Sequence, residues 1–124
     1  MVSCLLIDGN GIERGRLAAM LGGLGFVCTE KSQLPEAVDY ARESKPDLIL
    51  IEASQQSPAQ EFLRLVSIAV PKQPKPVVIF YSDAPNMEDI GASILAGASD
   101  FLVPPFDRKL LVFKLQQAGF KLAA

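Results

Sequence analysis

The residues best placed to do chemistry are two carboxylates, Asp8 and Glu52, each closing a short apolar run. Side by side they could hold a hard divalent cation such as Mg²⁺, though that ion also asks for phosphate or carbonyl oxygens. The plain alternative is two solvated acids at strand ends. Next to Asp8, Gly9-Asn10-Gly11 with Gly15 resembles a loosened G-x-G-x-x-G phosphate cradle, and Glu30 falls near the position of a ribose-binding acid, about 20 residues on. Arg14, however, stands where the third glycine belongs, and a Gly-rich turn that starts a helix explains the run equally well. Ser3, Ser54, Ser57 and Ser82 offer hydroxyls without a neighbouring base. Tyr81 is bulky and sits where an apolar run ends; buried there, its hydroxyl needs a partner.

Composition narrows the chemistry further. The 124 residues contain no histidine, which removes histidine metal sites, Ser-His triads and Cys-His dyads. Cys4 and Cys28 lie inside apolar runs and read as buried, reduced thiols. The net charge of -2 gives no broad basic field for nucleic acid. Arg108, Lys109, Lys114 and Lys121 gather near the C-terminus at helical spacing and read as a solvated face. With 49% hydrophobic and 21% charged residues the chain can bury a core. No signal-like segment and no apolar run of bilayer length is visible, so a soluble, cytoplasmic protein without membrane contacts is expected.

The elements that must position these residues alternate along the chain. Apolar runs predict strands over 2–7, 26–29, 47–52, 76–81 and 99–103, and amphipathic spacing predicts helices over 12–24, 35–44, 58–70, 87–95 and 108–118. Gly25 is a stop signal for the first helix and Asp107 an N-cap for the last. Segments 54–57 and 72–75 read as a loop and a turn, and Pro104-Pro105 breaks the fifth strand. Strands followed in turn by helices, with strands apolar throughout, argue for one α/β domain over 1–124 with a parallel sheet covered on both faces. Right-handed crossovers bring every strand C-terminus to one edge, where ligand chemistry in such sheets is found. Asp8 to Gly11, Glu52 to Ser54, Tyr81 to Asp83 and Val103 to Pro105 meet there.

In order and spacing, four segments resemble the receiver domain of bacterial two-component response regulators, and single-domain, chemotaxis-regulator-like receivers in particular. They are Cys4-Leu5-Leu6-Ile7-Asp8, then 46–52 ending in Glu52, then 76–81 ending in Tyr81, and 96–107 with Phe101 and Pro104. The resemblance covers essentially the whole chain and is specific in the third and fifth strands. It implies a flavodoxin-like, doubly wound (βα)5 fold with strand order 2-1-3-4-5, an order the family shares with its type examples. It also implies a signalling role without enzymatic activity of its own.

The resemblance assigns roles to positions, and most of those positions are changed. The phosphoacceptor position, an Asp in the family, is Glu52, whose carboxylate stands about 1.5 Å further out. A misplacement of that size costs on the order of 10²-fold in an in-line transfer. Of the acid pair that helps hold Mg²⁺, Asp8 remains and Gly9 replaces the second. The hydroxyl position is Tyr81, with Ser82 next to it and usable only through a slip or bulge, since adjacent strand residues face opposite ways. Pro104 replaces the lysine that contacts the phosphoryl group, and the loop 53–59 lacks the usual pattern. Phe101 keeps the aromatic switch position without a hydroxyl. The expectation is a pseudo-receiver: a phosphorylation-independent interaction module with no catalytic residue and no resident metal, Asp8 and Glu52 being weak candidates for one. Glu52 could mimic the phosphorylated acid, or Tyr81 could fill the pocket and fix one state. The implied binding surface is the fourth helix, fifth strand and last helix, with Ile90, Leu95, Phe101, Val103, Arg108 and Leu111. Its partners would be a histidine kinase, a phosphotransfer protein, another response regulator, a motor component or a second copy of the chain. Two other readings stay open: an unconventional receiver still accepting phosphate or binding Mg²⁺ through Asp8 and Glu52, and a small nucleotide-binding module using Gly9 to Gly15.

Overall fold

The computed structural model describes residues 2–53, 61, 62, 64, 76–82, 87–95, 97–103 and 107–122. Their strands are β1 (Val2–Ile7), β2 (Phe26–Lys31), β3 (Leu48–Glu52), β4 (Val77–Tyr81) and β5 (Asp100–Leu102). Their helices are α1 (Gly11–Gly23), α2 (Leu34–Ser44), α3 (Met87–Leu95) and α4 (Arg108–Gln117). Most of the helix expected over 58–70, the turn at 72–75 and the Pro104-Pro105 break lie outside the described residues; Glu61, Phe62 and Arg64 are helical.

The five strands form one sheet in the order β2-β1-β3-β4-β5, all pairs parallel. Side chains alternate across it, so each strand supplies both layers of the core. Leu5, Ile7, Ile49, Ile51, Val78, Phe80 and Phe101 pack against Ala37, Val38 and Ala41 of α2 and against Phe62. On the other face Cys4, Leu6, Leu48, Leu50, Ile79, Tyr81 and Leu102 pack against Leu17 and Leu21 of α1 and Leu111 and Leu115 of α4. Burial on both faces is why the central strands are apolar at every position rather than at every second one.

Local chemistry sets the boundaries. The Asn10 side chain accepts hydrogen bonds from the Ile12 and Glu13 amides and starts α1. Gly25, at φ 99°, takes the left-handed conformation that follows a helix end. Asp107 caps α4 by accepting from the Leu110 amide, as its position in the sequence implies. Asp47 stays outside β3 because its carboxylate accepts from the Ser3 amide and hydroxyl, pinning the entry to β3 beside β1. β2 runs on to Lys31, beyond its apolar run, because its ladder follows β1 as far as Ile7.

Candidate functional site

Asp8, Glu52 and Tyr81 converge at the C-terminal edge of the sheet. Ile7 pairs with Ile51, so Asp8 and Glu52 leave neighbouring strands at the same level, and Glu52 pairs in turn with Tyr81. All three follow the alternation that points Leu6, Leu50 and Ile79 toward α1 and α4. They form a row across β1, β3 and β4.

The Tyr81 hydroxyl donates to Asp8 Oδ2 at 2.7 Å in a buried hydrogen bond. β1 and β4 are separated by β3, and neighbouring strands stand about 4.8 Å apart, so this contact spans two strand spacings. The phenol therefore lies over β3 at the level of Glu52. Both ends are enclosed: Asp8 and Tyr81 are each 5% exposed. Asp8 Oδ1 accepts from the Asn10 amide at 2.8 Å, and the Asp8 carbonyl accepts from Arg14 Nη1. Arg14 Nε in turn bonds Glu30 Oε1 at 3.0 Å. Burial above all, then the hydrogen bond to Asp8 and the charges of Asp8, Glu52 and Glu13, holds the Tyr81 phenol far above its ordinary pKa. It remains a donor throughout the physiological range.

A cation fits this arrangement poorly. Both Asp8 oxygens accept hydrogen bonds, the neighbouring position is Gly9, and Tyr81, the register partner of Glu52, reaches across to Asp8. A hard ion such as Mg²⁺ needs several oxygens that it can approach on all sides. Among the described residues no group of three acids or cysteines is close enough to hold a metal. A phosphate cradle fares no better. Asn10 takes two of the α1 amides that an anion would use, and Arg14 is tied to Glu30 and the Asp8 carbonyl. A Cβ on Gly11 would meet nothing nearer than Arg14 Nη2 at 3.6 Å, so no close backbone approach requires a glycine there.

The remaining expected positions fall as follows. Ser82 is buried one residue beyond Tyr81, and its amide continues the ladder to the Leu102 carbonyl at 3.4 Å. β4 carries no bulge, so alternation turns Ser82 away from the row. Phe101 lies edge-on to Phe80, centroids 6.5 Å apart, within the α2-side core. Pro104 and the loop beyond Ala53 lie outside the described residues. On the expected binding surface, Leu95 is 90% exposed, and Val103 and Arg108 are exposed. Ile90 is partly buried against the α2-side core. Two members do not belong there. Leu111 is 0% exposed, inserted between α4 and the sheet with Leu115, and Phe101 is likewise in the core. Phe113 of α4 is exposed instead, and Ile94 of α3 joins Leu95. Lys114 also leaves the solvated face assigned to it, reaching Asp100 Oδ2 at 2.9 Å. Periodicity had little chance here, because Leu110 to Phe113 is apolar at every position.

No protein-family model and no curated protein matches the sequence. Solved structures do match in fold. A response regulator from Thermotoga maritima superposes with a TM-score of 0.84 at 20% identity, covering 94% of this chain and 96% of its own. The chemotaxis protein CheY4 of Vibrio cholerae gives 0.83 at 20% identity, covering 94% and 98%. A Burkholderia pseudomallei response regulator, solved with a phosphorylated aspartic acid, calcium ion and citrate, gives 0.77 at 21% identity, covering 94% and 67%. Strand order, parallel pairing and flanking helices coincide with these structures, and the chain has the flavodoxin-like fold of response-regulator receiver domains.

Proposed function

We propose that this chain is a pseudo-receiver: a regulatory module of two-component signalling that binds a protein partner without being phosphorylated. The observation that carries the reading is the Tyr81–Asp8 hydrogen bond, which lays a phenol across the acceptor position. The Burkholderia pseudomallei relative carries its phosphate on an aspartic acid. The family resemblance puts Glu52 at the acceptor position and Gly9 at that of the second acid, and Asp8 is held by Tyr81 and Asn10. In-line phosphoryl transfer requires an open approach to the acceptor carboxylate and a cation beside it. Neither has room.

Tyr81 then sets a single state by packing, in preference to mimicry by Glu52. A partner would be recognised at α3, the end of β5 and α4, where Leu95, Val103 and Phe113 expose apolar surface beside Arg108. A histidine kinase, a phosphotransfer protein, another response regulator or a second copy of the chain fits that description. No enzymatic activity, resident metal or nucleic-acid contact is assigned, and a cytoplasmic location follows from the same role. No helix among the described residues is long and apolar enough to cross a membrane.

The test is incubation with a small phosphodonor and Mg²⁺, followed by intact-mass measurement. An unchanged mass is expected. A phosphate adduct at Glu52 or Asp8 would mean that the domain is an unconventional but working receiver. A thermal shift with nucleotide, which the capped α1 terminus argues against, would favour the Gly9 to Gly15 reading.

A further inference from the structure

Cys4 and Cys28 are in-register partners on β1 and β2, and both face the α1 and α4 layer. Parallel neighbours stand about 4.8 Å apart, inside the roughly 4.4–6.8 Å between Cα atoms that a disulfide accepts. Both cysteines are free thiols. From this placement we infer that Cys4 and Cys28 form a redox-active dithiol, closing to an intramolecular disulfide when a peroxide oxidises Cys28.

The two thiols are unequal in ways that suit the roles. Cys4 is buried beneath α1, whereas Cys28 lies on the edge strand and is partly exposed, so an oxidant meets Cys28 first. The neighbouring Cys28 thiol, and then burial, push the Cys4 pKa well up and keep Cys4 protonated. The same contact favours the Cys28 thiolate against its own desolvation and the charge of Glu30. The thiolate is the form that attacks peroxide. β2 is the edge strand and, among the described residues, shares a backbone ladder with β1 only, so drawing the two Cβ atoms into bonding range disturbs no second ladder.

The chemistry balances in two steps. Cys28 releases its proton to water, its thiolate lone pair forms the S–O bond to one peroxide oxygen as the O–O bond breaks, and hydroxide leaves with the O–O bonding pair. Cys4 then gives its proton to that hydroxide and attacks Cys28 Sγ, so the S–S bond forms, the S–O bond breaks, and the second hydroxide leaves and takes up the proton that Cys28 had released, giving water. Two thiols and one hydrogen peroxide become one disulfide and two waters. A disulfide of this kind in a reducing compartment is transient and serves as a sensor. This inference rests on β1 and β2 and is independent of the reading of Tyr81.

The experiment treats the reduced full chain with hydrogen peroxide and follows intact mass, free-thiol count after denaturation, and non-reducing peptide maps. The expected result is a monomer lighter by two hydrogens, with no free thiol, a Cys4–Cys28 linked peptide, and full reversal by dithiothreitol. Cys4→Ser should instead accumulate a sulfenic acid at Cys28 that dimedone traps. Should that variant fail to fold, the wild-type peptide map decides alone. Retention of both thiols, sulfinic acid at Cys28 with Cys4 still free, or disulfide-linked dimers would overturn the inference.

Discussion

At the residue scale, the phenol of Tyr81 and the carboxylate of Asp8 define what the sheet edge can do. A hydrogen bond to a charged acceptor contributes about 1.5–3 kcal/mol, so Tyr81→Phe is expected to lower unfolding free energy by about 2 kcal/mol in urea titration. Alkali gives a second signature. Burial and the neighbouring carboxylates raise the folded-state pKa of Tyr81 above its unfolded value of about 10. The resulting stabilisation is complete below that value and is lost as pH rises beyond it. Above about pH 10 the wild type should therefore lose about 1.4 kcal/mol per pH unit relative to Tyr81→Phe, and its extra phenolate absorbance should appear only with unfolding. A Tyr81 phenolate in the folded protein near pH 10 would contradict the enclosed geometry. Asn10 offers a milder test: Asn10→Ala removes the acceptor for two α1 amides and should cost about 1 kcal/mol.

At the scale of elements, what the sequence shows plainly and what it hides have different physical origins. The central strands are legible because burial on both faces demands unbroken apolar runs, and the edge row of Asp8, Glu52 and Tyr81 follows from where those runs stop. Asp107 is legible as a cap because it stands directly before a helix-forming stretch. The direction of the Tyr81 ring is not, since it depends on a contact between residues 73 positions apart. The inward face of α4 is hidden for another reason: four consecutive apolar residues give no stripe, and only the sheet beneath selects Leu111 over Phe113. The same contrast supplies a test. Leu111→Ala should destabilise the domain by about 2–5 kcal/mol. Leu95→Ala, on a residue 90% exposed, should change stability by less than about 0.5 kcal/mol while weakening capture of the partner.

At the scale of the whole molecule, the receiver fold is present, and we propose that the site such a fold positions is closed here. The fold places Asp8, Glu52 and Tyr81 on one sheet edge and leaves Leu95, Val103 and Phe113 on the flank formed by α3, β5 and α4. In a phosphorylated receiver the edge would drive the flank through the aromatic residue of the fifth strand. Phe101 is packed edge-on to Phe80 and has no hydroxyl to be drawn toward a phosphoryl group. On the proposed reading the flank keeps one conformation, and regulation falls to partner availability rather than to phosphate.

The most direct measurement of that claim is a two-dimensional amide NMR titration of the full chain with Mg²⁺ and then beryllofluoride, which imitates an acyl phosphate. Because Tyr81 and Asn10 occupy the Asp8 carboxylate, the Asp8, Glu52 and Ser82 amides are expected to stay in place at millimolar Mg²⁺ and after the mimic is added. A saturable set of shifts spreading from Glu52 to Phe101 would show that the pocket opens and the switch responds, and would contradict it.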